Sequence, residues 1–217
     1  MSFKPVSRKD IGIFITEDLK WTYHVNYIFQ MASRLSYQVR KSFKTKNIWT
    51  LMKLYFTYIR PKMEYNSPVW SPYLKKDINK LESIQRSFTK SICLRCSIPF
   101  SSYQDRLFKL NLRSLEYRRV VADLIFLFKI ITEQTNLKLS TFFVEKKLPF
   151  VLRGNRKKIS PIINFKNSQW QGSFFNRIIS TWNALPDEIT SAKTVESFKH
   201  KLNQFDLKTV THFKIDT

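Results

Sequence analysis

Between Trp21 and Phe43 the apolar residues Val25, Ile28, Ala32, Leu35 and Val39 recur at intervals of three, four, three and four positions. That is the period of one helical face, so the spacing predicts an amphipathic helix of about five turns. Arg34, Arg40, Lys41 and Lys44 fall on its far side. Ile48, Leu51, Tyr55 and Tyr58 continue the pattern to Pro61, which is expected to close a second helix because the residue before proline avoids the α conformation. The longest stripe follows, with Leu74, Ile78, Leu81, Ile84, Phe88 and Ile92 on one face and Lys75, Lys76, Lys80, Arg86 and Lys90 on the other. Ser71-Pro72 reads as its N-cap and first helical position. Between these helices MEYNSPVWSP forms a corner expected to be held by Tyr65, Val69 and Trp70. The third helix thus offers one face to a core and the other to anions.

The flanking segments add shorter elements. KDIGIFI (9–15) reads as a short strand, with Gly12 marking a bulge. Ser102 with Asp105 resembles a capping box before YQDRLFKL, and Ser114 is placed to cap LEYRRVVADLIFLFKII. In that helix Leu115, Val121, Leu124, Ile125, Phe128 and Ile131 form the expected core stripe, with Arg118 and Arg119 outward. The 135–172 region is less periodic. Its densest basic cluster, LRGNRKK, reads as an exposed loop bearing Arg153, Arg156, Lys157 and Lys158, followed by a short strand from Pro161 to Phe165. Phe175, Ile178, Ile179, Trp182 and Leu185 share a helical face ended by Pro186. Thr194 caps a last helix with Phe198, Leu202 and Phe205 inward. The fold class expected is mainly α: a bundle of amphipathic helices with a short N-terminal strand or hairpin and few other β segments.

Charge gives this architecture a purpose. Lys and Arg total 38 against 16 acidic residues, a formal net charge of +22, which predicts attraction to a polyanion, most commonly nucleic acid. The three glycines, Gly12, Gly154 and Gly172, are dispersed, so no phosphate-cradling loop can form and nucleotide-binding loops of that kind are excluded. No apolar leader opens the chain, and the apolar run from Val120 to Ile131 is interrupted by Asp123 and Lys129, so no membrane partner is expected. Two cysteines make no disulfide framework, which suits a reducing interior, nucleus or cytoplasm. Cys93-x-x-Cys96 lacks further ligands at zinc spacing, since His24, His200 and His212 are unpaired in sequence, and reads as packing. Nucleotidyl transfer needs clustered carboxylates around two metals. The adjacent acidic pairs Glu17-Asp18 and Asp187-Glu188 do not suit that geometry, so no catalytic residue, metal site or cofactor is assigned to this chain.

Several rare residue types then agree in order and spacing. Tyr58-Ile59-Arg60-Pro61, Glu64-Tyr65, Val69-Trp70-Ser71-Pro72, Leu81-Glu82, Gln85-Arg86 and Phe88-Thr89-Lys90 resemble the region after the polymerase palm in reverse transcriptases of non-LTR retrotransposons, the jockey-like LINE elements. Lys9-Asp10-Ile11-Gly12-Ile13, Leu19, Trp21 and His24-Val25 resemble the segment ahead of it. Tyr103, Arg106-Leu107, Leu110, Leu112, Ser114-Leu115-Glu116 and Arg118-Arg119 match a later block, and Trp182-Asn183 with Leu185-Pro186 matches the terminal one. The similarity runs from about residue 9 to residue 205.

The resemblance implies a division into a primer-grip-like segment (1–20), a helical thumb-like domain (21–132), a basic linker (133–172), a C-terminal helical module (173–207) and a tail (208–217). It implies primer-grip roles for Lys9, Asp10 and Gly12; His24 matches the family's histidine but reads as structural, since no base or nucleophile partner is identifiable for it. Backbone contacts to RNA, an RNA–DNA hybrid or DNA would come from Lys76, Lys80, Arg86 and Lys90, joined by Arg118, Arg119, Arg153, Arg156, Lys157 and Lys158. The parent activity is RNA-directed DNA polymerisation with Mg held by an upstream palm domain, so this chain alone is expected to be inactive. The alternative is a truncated relic, or a domesticated, non-enzymatic RNA- or DNA-binding protein.

Overall fold

The structure is a computed structural model that describes residues 7–145, 158–162 and 172–211. The described residues are mostly helical, with two short antiparallel strand pairs, one of them an N-terminal hairpin. The chain divides into two compact units, Met1–Arg118 and Arg119–Thr217.

The first unit opens with β1 (Ser7–Asp10) paired antiparallel to β2 (Ile13–Thr16), with Asp10 opposite Ile13. The two-residue turn Ile11-Gly12 has φ of +43° and +81°. Both values are positive, as the right-handed twist of a tight hairpin requires. Gly12 is therefore a turn residue and not a bulge. Ile11 is β-branched in the left-handed region, a strained placement.

Helix α1 (Thr22–Ser42) buries Val25, Ile28, Ala32 and Val39 as its spacing predicts. Helix α2 (Ile48–Leu54) starts at Asn47, whose Oδ1 accepts from the Thr50 N–H at 3.1 Å. The helical path does not stop before Pro61. It passes through a π-helical turn (Tyr55–Ile59) into α3 (Arg60–Glu64). Proline lacks an N–H and its ring crowds the carbonyl four residues back. The wider π turn, in which the Arg60 N–H reaches the Tyr55 carbonyl, loosens the ladder there and admits the ring.

The chain leaves α3 through extended Tyr65 and left-handed Asn66 (φ +51°) into the short α4 (Ser67–Trp70). Trp70 is fully buried and its Nε1 donates to the Tyr65 carbonyl at 2.7 Å, whereas Tyr65 and Val69 are exposed. Of the three side chains expected to hold this corner, Trp70 does so.

Helix α5 (Lys75–Arg95) takes Leu74 at its N-cap position. Ser71 is already committed as the C-cap of α4, where its N–H donates to the Ser67 carbonyl at 2.9 Å, so Ser71-Pro72 does not cap α5. Ile78, Leu81, Ile84, Phe88 and Ile92 are buried in the expected stripe. Thr22 meets Asp77, Asn26 meets Lys80, Arg40 meets Ser87 and Phe43 meets Arg95, so α1 and α5 pack side by side in the same direction. Helix α6 (Tyr103–Lys109) is capped by Ser102, which accepts from the Asp105 N–H at 3.1 Å. Ser114 Oγ likewise accepts from the Tyr117 N–H at 3.2 Å at the start of α7 (Leu115–Ile131).

In the second unit, the remainder of α7 is joined by α8 (Leu139–Phe142), and β3 (Phe143–Glu145) pairs antiparallel with β4 (Ile159–Pro161). Then come α9 (Phe174–Ala184), α10 (Asp187–Thr190), α11 (Val195–Gln204) and a closing 3-10 turn, Leu207–Thr209. The strand expected from Pro161 begins earlier, at Ile159, and residues 163–165 lie outside the described residues. Buried Leu124, Leu127, Phe128, Ile178, Trp182, Phe198 and Leu202 form the core, with Phe128 and Phe198 stacked 4.3 Å apart. Val121, Ile125 and Ile131 are only half-buried, because the inward stripe of α7 also takes Asp123, Leu127 and Ile130. Thr194 caps α11 as expected, accepting from the Ser197 N–H at 3.1 Å, and Phe205 is half-buried.

Candidate nucleic-acid interface

Helix α5 is mixed in charge along its sequence but not on its surface. Its two acids, Asp77 and Glu82, are both buried. Asp77 accepts from the Thr22 hydroxyl at 2.7 Å. Glu82 accepts from the Leu115 N–H at 2.9 Å and from the Tyr103 hydroxyl. Beside it, Gln85 accepts from the Tyr55 hydroxyl and donates to Tyr103 at 2.9 Å and to the Arg113 carbonyl at 3.0 Å. Burial raises the pKa of Tyr55 and of Tyr103, and the Glu82 charge adds to the effect in both, so the two phenols remain hydrogen-bond donors. A second, polar face of α5 is thus sealed inside the unit. What remains exposed is Lys75, Lys76, Ser83, Ser87, Lys90 and Leu94, and every charge among these is positive.

The predicted contact residues separate on this framework. Lys76 and Lys90 face solvent. Lys80 sits half-buried at the rim of α1, its Nζ donating to Asn26 Oδ1 at 2.5 Å and lying 5.0 Å from the Phe29 ring centroid. Arg86 turns the other way, its guanidinium 5.0 Å from the Tyr103 ring and its buried Nε without a hydrogen-bond partner among the described residues. Arg118 does not project freely. It makes a two-point ion pair with Glu64, with Nη2 to Oε2 at 2.9 Å, and this partner holds its pKa up. Arg119 is only 2% exposed and does not face solvent, because it shares the inward face of α7 with Asp123. Lys158 is half-buried, and Arg153, Arg156 and Lys157 lie outside the described residues.

One residue that the sequence placed only on the far side of the first helix joins the stripe. Arg40 reaches across from α1 to Ser87, its Nη1 3.4 Å from the hydroxyl, in the middle of the exposed face of α5. Only the parallel packing of the two helices brings it there.

At the hairpin, Lys9 and Asp10 are exposed, and Lys9 Nζ lies 5.5 Å from the Phe14 ring. Gly12 borders a cleft of about 350 Å³ with His24, Tyr27, Met31, Lys62 and Tyr65. His24 is buried, accepts from the Phe14 N–H at Nδ1 (3.3 Å) and lies edge-on to Trp70 at 5.0 Å. Burial pushes its pKa down to about 4, so at neutral pH it is an uncharged packing residue.

Cys93 is buried, and Cys96 donates its thiol to the Lys46 carbonyl at 3.1 Å. Among the described residues no group of three or more His, Cys, Asp and Glu could hold a metal ion, and no helix is long and apolar enough to cross a membrane.

Over 112 residues the chain is 29% identical to uncharacterized protein B0403.1 of Caenorhabditis elegans, a stretch that covers 52% of this chain and 57% of that protein. No protein-family profile matches the chain, and no solved structure does.

Proposed function

We propose that the first unit is a thumb-like nucleic-acid-binding module of a retrotransposon-type RNA-directed DNA polymerase, without the catalytic carboxylates. The observation that carries this reading is the segregation of charge on α5, where both acids are buried while Lys76 and Lys90 face outward and Arg40 joins them from α1. Such a strip meets phosphates regardless of base sequence, as a polymerase must when it holds a moving template–primer. The formal charge of +22 supports it, and the sequence blocks that resemble jockey-like elements supply the polymerase context.

The test is fluorescence anisotropy with a labelled RNA–DNA hybrid between 50 and 200 mM salt. Affinity is expected to fall steeply with salt, and reversing Lys76 and Lys90 to Glu should reduce the slope of log K against log salt by roughly 2. Binding that is flat with salt, or unaltered by the double reversal, removes the reading. The chain by itself is expected to incorporate no deoxynucleotides. An immunoblot of the native polypeptide separates this from a stand-alone basic protein, since a band at 26.0 kDa would favour the latter.

A further inference from the structure

Trp49 is 82% exposed in the first turn of α2. An indole is usually largely buried, and an exposed one gains meaning where other exposed apolar residues and charges accompany it. It is not loosely held, because Asn47 caps the helix two residues earlier and Leu51 and Met52 anchor it in the core.

Its surroundings are built by three segments tied together. Arg95 donates to the carbonyls of Phe43 (2.6 Å) and Arg40 (3.0 Å) at the end of α1. Cys96 donates to the carbonyl of Lys46. The end of α5 is thereby fixed to the end of α1 and to the loop that leads into α2. This junction leaves Phe43 and Leu94 exposed, together with Lys41, Lys44 and Lys46. No Asp or Glu occurs between Asp18 and Glu64, nor between Glu82 and Asp105, so none of the three segments carries a carboxylate.

An exposed aromatic face on a capped helix, among exposed lysines and on segments without acids, matches one ligand chemistry: unpaired bases on a phosphodiester backbone. Stacking uses the face of any base, and the lysines follow the phosphates. In a duplex the base faces cover one another and are closed to an indole. The geometry points to a single-strand site at this end of the first unit, with an unpaired base stacked on Trp49 and phosphates met by Lys41, Lys44 and Lys46. This deepens the nucleic-acid reading above and rests on it, adding a second mode of contact beyond the α5 strip.

The experiment compares wild type, Trp49→Ala and Trp49→Phe, as full chains, on labelled oligo-U and on an RNA–DNA hybrid of equal length at one salt concentration. Trp49→Ala is expected to weaken oligo-U binding about tenfold, Trp49→Phe to retain most of it, and hybrid binding to stay unchanged in both. Unchanged hybrid binding also reports that the variants are folded. Loss of neither ligand, or equal loss of both, overturns the stacking site. Binding to phosphatidylserine vesicles that depends on Trp49 while oligo-U binding does not would reassign the patch to an anionic lipid surface and overturn it as well. If wild type ignores the hybrid but binds oligo-U through Trp49, the thumb-like reading fails and the single-strand site stands. If it binds the hybrid and Trp49 is irrelevant to oligo-U, only the single-strand site fails.

Discussion

The carboxyl group of Glu82 accepts the backbone N–H of Leu115 at 2.9 Å, so the middle of α5 caps the first turn of α7. Helix N-termini favour acceptors there, because the first N–H groups have no partner within the helix. Glu82 is 0% exposed and also accepts from Tyr103, which makes it the hub that joins α5, α6 and the start of α7.

Replacing this hub should be costly. Glu82→Ala is expected to lower unfolding stability by about 3 kcal/mol, since Tyr103 and the Leu115 N–H would be left buried without it. Glu82→Gln, which keeps an acceptor oxygen, should lose less. Urea unfolding at neutral pH measures both, and a midpoint for the alanine variant equal to wild type would contradict the role.

His24 makes stability depend on pH. Its imidazole protonates near 6.5 when unfolded and near 4 in the fold, lowered by burial. Between those values the unfolded chain binds more protons, so stability rises with pH. The contribution is complete above about 6.5 and is lost as pH falls toward 4. His24→Gln should flatten the change in urea midpoint between pH 7 and pH 5, whatever it does to absolute stability. An identical pH profile in the variant would exclude His24 as the source.

In the second unit Asp123 and Arg177 form a two-point ion pair at 2.7 and 2.9 Å, and Arg177 also donates to the Gly172 carbonyl at 3.0 Å. Burial pushes the Asp123 carboxyl up, and Arg177 draws it back toward ionisation. Asp123→Ala strands a mostly buried guanidinium and should cost about 3 kcal/mol. Arg177→Lys keeps the charge without the planar fork and should fall between that variant and wild type. Thermal unfolding followed by circular dichroism ranks the three proteins, and a lysine variant as stable as wild type would show that the fork geometry is not needed.

The helices were legible in the sequence where their information is local. The stripes of α1 and α5 lie within a few residues of themselves, and Ser102, Ser114 and Thr194 cap the turn that immediately follows each. The mainly helical class and the N-terminal hairpin follow from the same short-range periods. Pro61 misled because a π turn can admit a proline that an α turn cannot, and Ser71 because it was already serving the helix before it.

Of the candidate site, the sequence showed the excess of cations and the outward placing of Lys75, Lys76 and Lys90, but not the fate of the other cations. Which of them face water depended on partners far along the chain. Glu64 takes Arg118 from 54 positions away, and Asn26 takes Lys80 from the same separation. Arg40 reached the strip only because α1 and α5 run parallel. The sequence by itself determined helix faces, caps and net charge, because these depend on residue type and near neighbours. The tertiary structure alone decided the outward charge of α5, because burying Asp77 and Glu82 requires hydrogen-bond partners that only folding brings within reach.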